Sequence, residues 1–158
     1  MYQRILVPLD GSETSLQGLD EAVRLASLSG SKVRLVHVIN KFRKTPRLGS
    51  HAYYSKQVPG MKEAGEELLR QGRERAQLGG VVADSILLTS LIKPLAELIA
   101  EEAQAWNADL IVVGTHGRRG IERILWGSDA NQVRRMAPVP VLLVQATRSQ
   151  TPGTGLSD

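Results

Sequence analysis

Asp109-Leu110-Ile111-Val112-Val113-Gly114-Thr115-His116-Gly117 sets an unbroken apolar run directly against a glycine-bearing segment. A half-exposed strand would alternate polar and apolar residues. A continuous run bounded by Asp and Gly instead predicts a strand buried on both faces, as parallel sheets require. After nine intervening residues, Gly117 is followed by Gly127-Ser128. Ser128 is suited to cap a last helix that carries Val133, Met136 and Ala137 inward. Pro140 to Val144 reads as a closing strand, and 147–158 as a polar, disordered tail.

Working upstream, the same grammar repeats. Arg4 to Leu9 reads as a buried strand closed by Asp10-Gly11-Ser12, and Leu16, Leu19, Val23 and Ala26 recur at helical spacing until Gly30. Lys32 to Ile39 is a second strand, followed by a loop from Asn40 to about Pro59. A charged helix from Met61 to Leu78 stops at Gly79-Gly80, and Val81 to Leu88 forms a third strand. Pro94 opens a helix with Leu95, Leu98, Ile99, Ala103 and Trp106 on one face. Five apolar strands alternating with four helices predict an α/β fold, a parallel sheet covered on both faces. Such sheets take ligands at the carboxyl ends of their strands, where Asp10, Val38 and the glycine loop all fall.

The chain of 158 residues fits one domain, assigned to 1–146. Cysteine is absent, which excludes disulfides, thiolate catalysis and Cys-based metal sites. No apolar run approaches the length of a membrane span, and the first strand begins too early for a leader, so a cytoplasmic protein is expected. Lys41, Arg43, Lys44, Arg47 and Lys56 fall in one acid-free stretch and outweigh the whole net charge of +4. The remainder is slightly acidic, which argues against a nucleic-acid partner.

Glycines let backbone N–H groups approach a phosphate, and a helix N-terminus adds unpaired donors and partial positive charge. Gly114, Gly117, Gly127 and Ser128 therefore predict an anion cradle. The Gly-x-x-x-x-Gly-Lys-Ser/Thr loop is missing, as is a Gly-x-Gly-x-x-Gly turn after the first strand. A phosphoacceptor domain is excluded too, because Asp10 is followed by Gly11, Thr89 follows the third strand and Gln145 closes the fifth.

On this Gly-x2-Gly-x9-Gly-Ser pattern, the opening Ile-Leu-Val-Pro-Leu-Asp-Gly-Ser-Glu and the closing Ala-Pro-Val-Pro-Val-Leu-Leu-Val, the chain resembles the universal stress protein family, in its ATP-binding branch. The resemblance implies a three-layer, flavodoxin-like or Rossmann-like sandwich with a five-stranded parallel sheet of order 3-2-1-4-5. It implies ATP, with Mg²⁺, as ligand. Pro8 and Leu9 would lie beside the base and Asp10 near the ribose and a phosphate-bound Mg²⁺. Val38 and Val113 would pack on adenine. Gly114, His116, Gly117, Gly127, Ser128, Asp129 and Ala130 would surround the phosphates. It also implies a homodimer through the last strand, with Val139, Val141, Leu142, Leu143 and Val144 at the interface, and a role as a stress-response sensor or regulator with protein partners. Asp129 stands where ATP-binding members often carry an uncharged residue: it would repel a triphosphate or help hold a metal. Ile92 stands where a glycine often precedes Pro94.

Several residues carry two readings. Arg118 and Arg119 could grip phosphate in a bidentate fork or simply be solvated. His116 could relay a proton or sit idle in its loop, and His37 reads as a structural histidine. The basic loop is a disordered insertion or a lid that brings Tyr53 or Tyr54 over a ligand. Trp126 with Ile121, Ile124 and Leu125 would pin the glycine loop. No general base is placed to activate water, so no catalytic residue is assigned and at most a slow ATPase is expected. The alternative is a nucleotide-independent homodimeric scaffold in which the glycine loop is structural.

Overall fold

The computed structural model describes residues 1–40, 51–90, 92–115 and 124–145. The elements run β1 (Arg4–Pro8), α1 (Glu13–Ser29), β2 (Lys32–Asn40), α2 (His51–Leu78), β3 (Ala83–Ser90), α3 (Leu95–Ala105), β4 (Leu110–Thr115), α4 (Ile124–Met136) and β5 (Val141–Gln145). The five strands form one parallel sheet in the order β3-β2-β1-β4-β5. This is the expected α/β sandwich.

Alternation along the strands divides the core in two. Ile5, Val7, Val33, Leu35, Leu110 and Val112 face Leu19, Val23 and Ala26 of α1 and Leu69 and Ala76 of α2. Leu6, Val36 and Ile111 face Ala96, Ile99 and Ala103 of α3 and Val133 of α4. Both faces are buried, which is why these strands read as continuous apolar runs. α2 can lie close on β2 because Gly65 faces it: a Cβ there would stand 2.7 Å from His37 Cδ2.

Apart from shifts of one residue, α2, β3 and α4 have boundaries that differ from the sequence expectation. α2 begins at His51, ten residues before Met61, and keeps Pro59 inside it. Proline removes a helix N–H, which made Pro59-Gly60 look like a boundary, yet the chain is helical on both sides. Residues 51–59 of the expected loop are thus helix, Tyr53 and Tyr54 included, while 41–50 lie outside the described residues. β3 begins at Ala83 and continues through Thr89 to Ser90, because its pairing with β2 runs from Val33↔Ala83 to Asn40↔Ser90.

α4 begins at Ile124, so Gly127 and Ser128 lie within it and Ser128 is not its N-cap. A glycine inside a helix costs only about 1 kcal/mol against alanine, which neighbouring residues can override. Met136 is 45% exposed rather than inward. Ala130 and Val133 are buried on α4, Ala137 packs partly buried just beyond its end, and Met136 falls beside them. Pro94 is the N-cap of α3.

Candidate functional site

Going from β3 to β4, the chain crosses the sheet and re-enters next to β1, so the carboxyl ends of β1 and β4 flank the point where strand order reverses. A cavity of about 460 Å³ opens there, within the roughly 300–1,000 Å³ typical of ligand sites. Its walls are Pro8, Leu9 and Asp10 after β1, Thr14 and Ser15 of α1, and Val36 to Ile39 of β2. Met61 and Ala64 of α2, Leu95 of α3, Val113 and Gly114 of β4, and Asp129, Ala130 and Val133 of α4 complete them.

The β1–α1 turn is built by side chains that satisfy its backbone. Asp10 Oδ1 accepts the Ser12 N–H at 2.8 Å, and Gly11 takes the left-handed φ of +83° that follows from this tight turn. Ser12 caps α1 by accepting the Ser15 N–H at 3.2 Å, and Ser15 Oγ donates back to the Ser12 carbonyl at 2.9 Å. Two bonds from β2 fix the segment before it. The Leu9 N–H donates to the Val36 carbonyl at 2.8 Å, and His37 Nδ1 donates to the Leu9 carbonyl at 2.7 Å. A carbonyl can only accept, so the His37 proton sits on Nδ1. His37 is thus structurally bonded, as expected, and also lines the cavity.

Gly114 is held against α1. A Cβ on it would stand 1.8 Å from the Thr14 carbonyl oxygen, and one on Gly18 would stand 2.9 Å from the Gly114 nitrogen. No other residue type fits Gly114 without moving the helix. Its glycine character is explained by this contact alone.

Of the residues assigned to the site from sequence, Pro8, Leu9, Asp10, Val38, Val113, Gly114, Asp129 and Ala130 meet in this one cavity. Gly127 and Ser128 belong to α4 and directly precede Asp129 and Ala130. His116, Gly117, Arg118, Arg119 and Ile121 lie outside the described residues. The walls from Thr14, Ser15, His37, Met61, Ala64 and Leu95 were not assigned from sequence. Asp129 and Ala130 are 9% and 6% exposed, and Asp10 is exposed at the mouth. Among the described residues, no group of three His, Asp or Glu side chains could hold a metal ion by itself. No helix there is long and apolar enough to cross a membrane.

Fold and cavity together define a doubly wound α/β domain with a cavity at the topological switch point, where sheets of this kind take ligands. The universal stress protein family model matches residues 1–145, and the chain belongs to that family. Universal stress protein MJ0531 of Methanocaldococcus jannaschii is 34% identical over 152 residues, 95% of this chain and 86% of that relative. A universal stress family protein from Burkholderia pseudomallei superposes with a TM-score of 0.73 at 31% identity, covering 92% of this chain and 97% of its own. A universal stress protein in complex with cAMP superposes at 0.69 with 28% identity, covering 92% and 99%. More distant structures with the same fold hold dAMP, in the Archaeoglobus fulgidus protein, and AMP, in one from Arabidopsis thaliana.

Proposed function

We propose that this protein binds an adenine nucleotide in the cavity and acts as a cytoplasmic, nucleotide-dependent regulator of the stress response. The observation that carries the reading is the convergence of Pro8, Leu9, Asp10, Val38, Val113, Gly114, Asp129 and Ala130 on one cavity at the strand ends. The cAMP complex of a relative with the same fold supports it. Apolar walls from Val38, Val113 and Leu95 suit a base, the Asp10 carboxylate suits the hydroxyls of a ribose, and the Thr14 and Ser15 hydroxyls suit a phosphate.

ATP with Mg²⁺ is the proposed form, with the ion carried in by the phosphates and Asp10 as a carboxylate that would help hold it. Gly117, Gly127, Ser128 and the pair Arg118 and Arg119 are proposed to meet the phosphates. Turnover of ATP is at most slow, and nucleotide binding is what changes the protein's engagement of its partners. The domain is proposed to be 1–146.

The protein is further proposed to dimerise through β5. Leu142 and Leu143 are 36% and 37% exposed on this edge strand, and proteins rarely leave such an edge bare. A second reading, the nucleotide-independent scaffold, is favoured by Gly114, whose packing against α1 accounts for its glycine without any ligand. Titration calorimetry with Mg-ATP separates the two. Saturable one-to-one binding supports the nucleotide reading, and no heat with ATP, AMP or adenosine leaves the scaffold.

A further inference from the structure

We propose that His37 is a positioning residue: by holding the Leu9 carbonyl, it orients the Asp10 carboxylate toward the ribose hydroxyls of a bound nucleotide. This rests on the cavity being an adenine-nucleotide site and names what aligns one of its polar groups. The Leu9–Asp10 peptide is a rigid plane held at both of its polar ends. His37 Nδ1 donates to its carbonyl at 2.7 Å, and its N–H donates to Ser15 Oγ at 3.4 Å. The imidazole bond is the shorter one and comes from β2, outside the turn. Asp10 Cα is the next atom of that plane, so its tilt sets the direction in which the carboxylate leaves the chain. Oδ1 accepts the Ser12 N–H, while Oδ2 makes no hydrogen bond among the described residues. An ionised carboxylate is an acceptor only, and ribose hydroxyls are donors that a nucleotide brings to it.

The histidine stands in for a strand bond. With the Leu9 N–H on the Val36 carbonyl, a continued parallel ladder would bring the Val38 N–H to the Leu9 carbonyl. The pairing ends at Pro8↔Val36 instead, and the Leu9 carbonyl takes the imidazole proton. The ring keeps that bond because it is confined. α2 passes over it at Gly65, where a Cβ would stand 2.7 Å from Cδ2 and 3.3 Å from Nε2. Val33 and Leu35, the preceding residues on this face of β2, are apolar and buried, so packing alone would be served by another apolar side chain. A donor at this position is what the Leu9 carbonyl requires.

The test is calorimetry with AMP and with its dideoxy analogue, which lacks both ribose hydroxyls. The wild type is expected to favour AMP by about tenfold, as a hydrogen bond to a charged group allows. His37→Phe and His37→Leu remove the donor and are expected to lose most of that preference while their affinity for the analogue holds. His37→Asn, whose amide nitrogen can stand where Nδ1 stood, should restore it. In an Asp10→Ala background, His37→Phe should change the preference no further. Thermal midpoints identify the folded variants, and two donor-less side chains guard against one failing. A preference unchanged in the folded donor-less variants would overturn the positioning role and leave the nucleotide site standing. A wild type that binds both ligands equally would overturn it too. So would an equal loss for both ligands in the Phe, Leu and Asn variants alike, since packing would then be the cause. Absence of binding by either ligand to the wild type would remove the site and the role together.

Discussion

Gly114 illustrates how one residue can carry two explanations. Its place in a glycine-rich pattern suggested a phosphate contact, yet the Thr14 carbonyl leaves no room for a Cβ there. Gly114→Ala is expected to lower stability by about 3 kcal/mol, because a clash with backbone cannot be relieved by a rotamer change. Urea unfolding measures this; a midpoint close to wild type would mean that α1 yields easily. A second residue-scale prediction concerns acid. Arg70 donates to both Glu67 oxygens at 2.6 and 2.8 Å, and Gln71 adds a bond at 2.8 Å. The Arg70 bonds first, then the Gln71 bond, hold the Glu67 carboxyl down at about 2. A depressed pKa contributes stability above the unfolded value near 4.5, lost as pH falls toward 2. Glu67→Gln should therefore melt slightly below wild type at pH 7 and level with it near pH 2. A gap that persists at pH 2 would assign the effect to something other than ionisation.

Between elements, the strongest polar tie is Arg34 on β2. Its guanidinium grips Asp84 of β3 with two bonds of 2.8 Å and Glu102 of α3 with one of 2.9 Å, and lies 4.8 Å from the centre of the Trp106 ring. Arg4 approaches the same ring at 5.8 Å and donates to the Trp106 carbonyl. The pair of acids, Asp84 foremost, raises the Arg34 pKa further above its ordinary value. Glu102 is only 9% exposed, so Arg34→Ala would strand a buried carboxylate. We expect a loss of about 2–3 kcal/mol, with part regained in the Arg34→Ala/Glu102→Gln double variant. A neutral single variant would contradict it. At the opposite edge, the proposed dimer predicts that the wild type sediments as a dimer and Leu143→Lys as a monomer; the same species for both would remove β5 as the interface. Element ends were the least legible feature of the sequence. Pro59-Gly60 and Gly127-Ser128 are breakers by local chemistry, but both lie inside helices. Local propensity was overridden there by the helical residues on either side. The strands were legible because burial on both faces leaves an uninterrupted apolar signature.

At the scale of the molecule, the alternation of strands and helices announced a doubly wound sheet, while its strand order came from family resemblance rather than from any residue pattern. The cavity was half legible. Pro8, Leu9, Asp10 and Val113 end strands, and strand ends are where such sheets bind ligands. Met61, Ala64 and Leu95 reach it from helices distant in sequence, and nothing in their own segments signals the meeting. Asp129 was conspicuous in the sequence by its charge, but its burial in the wall emerged only from the packing of α4. The central claim is that this cavity holds an adenine nucleotide. Its most direct test is thermal unfolding of the nucleotide-stripped protein with and without Mg-ATP or Mg-AMP, beside Ala64→Trp, which places a large ring in the cavity from an exposed position on its wall. At a hundredfold excess over the dissociation constant, the wild type should gain about 2.7 kcal/mol, a rise of very roughly 5–10 °C, and the variant should gain little. No rise with either nucleotide, or an equal rise in the variant, would contradict the account.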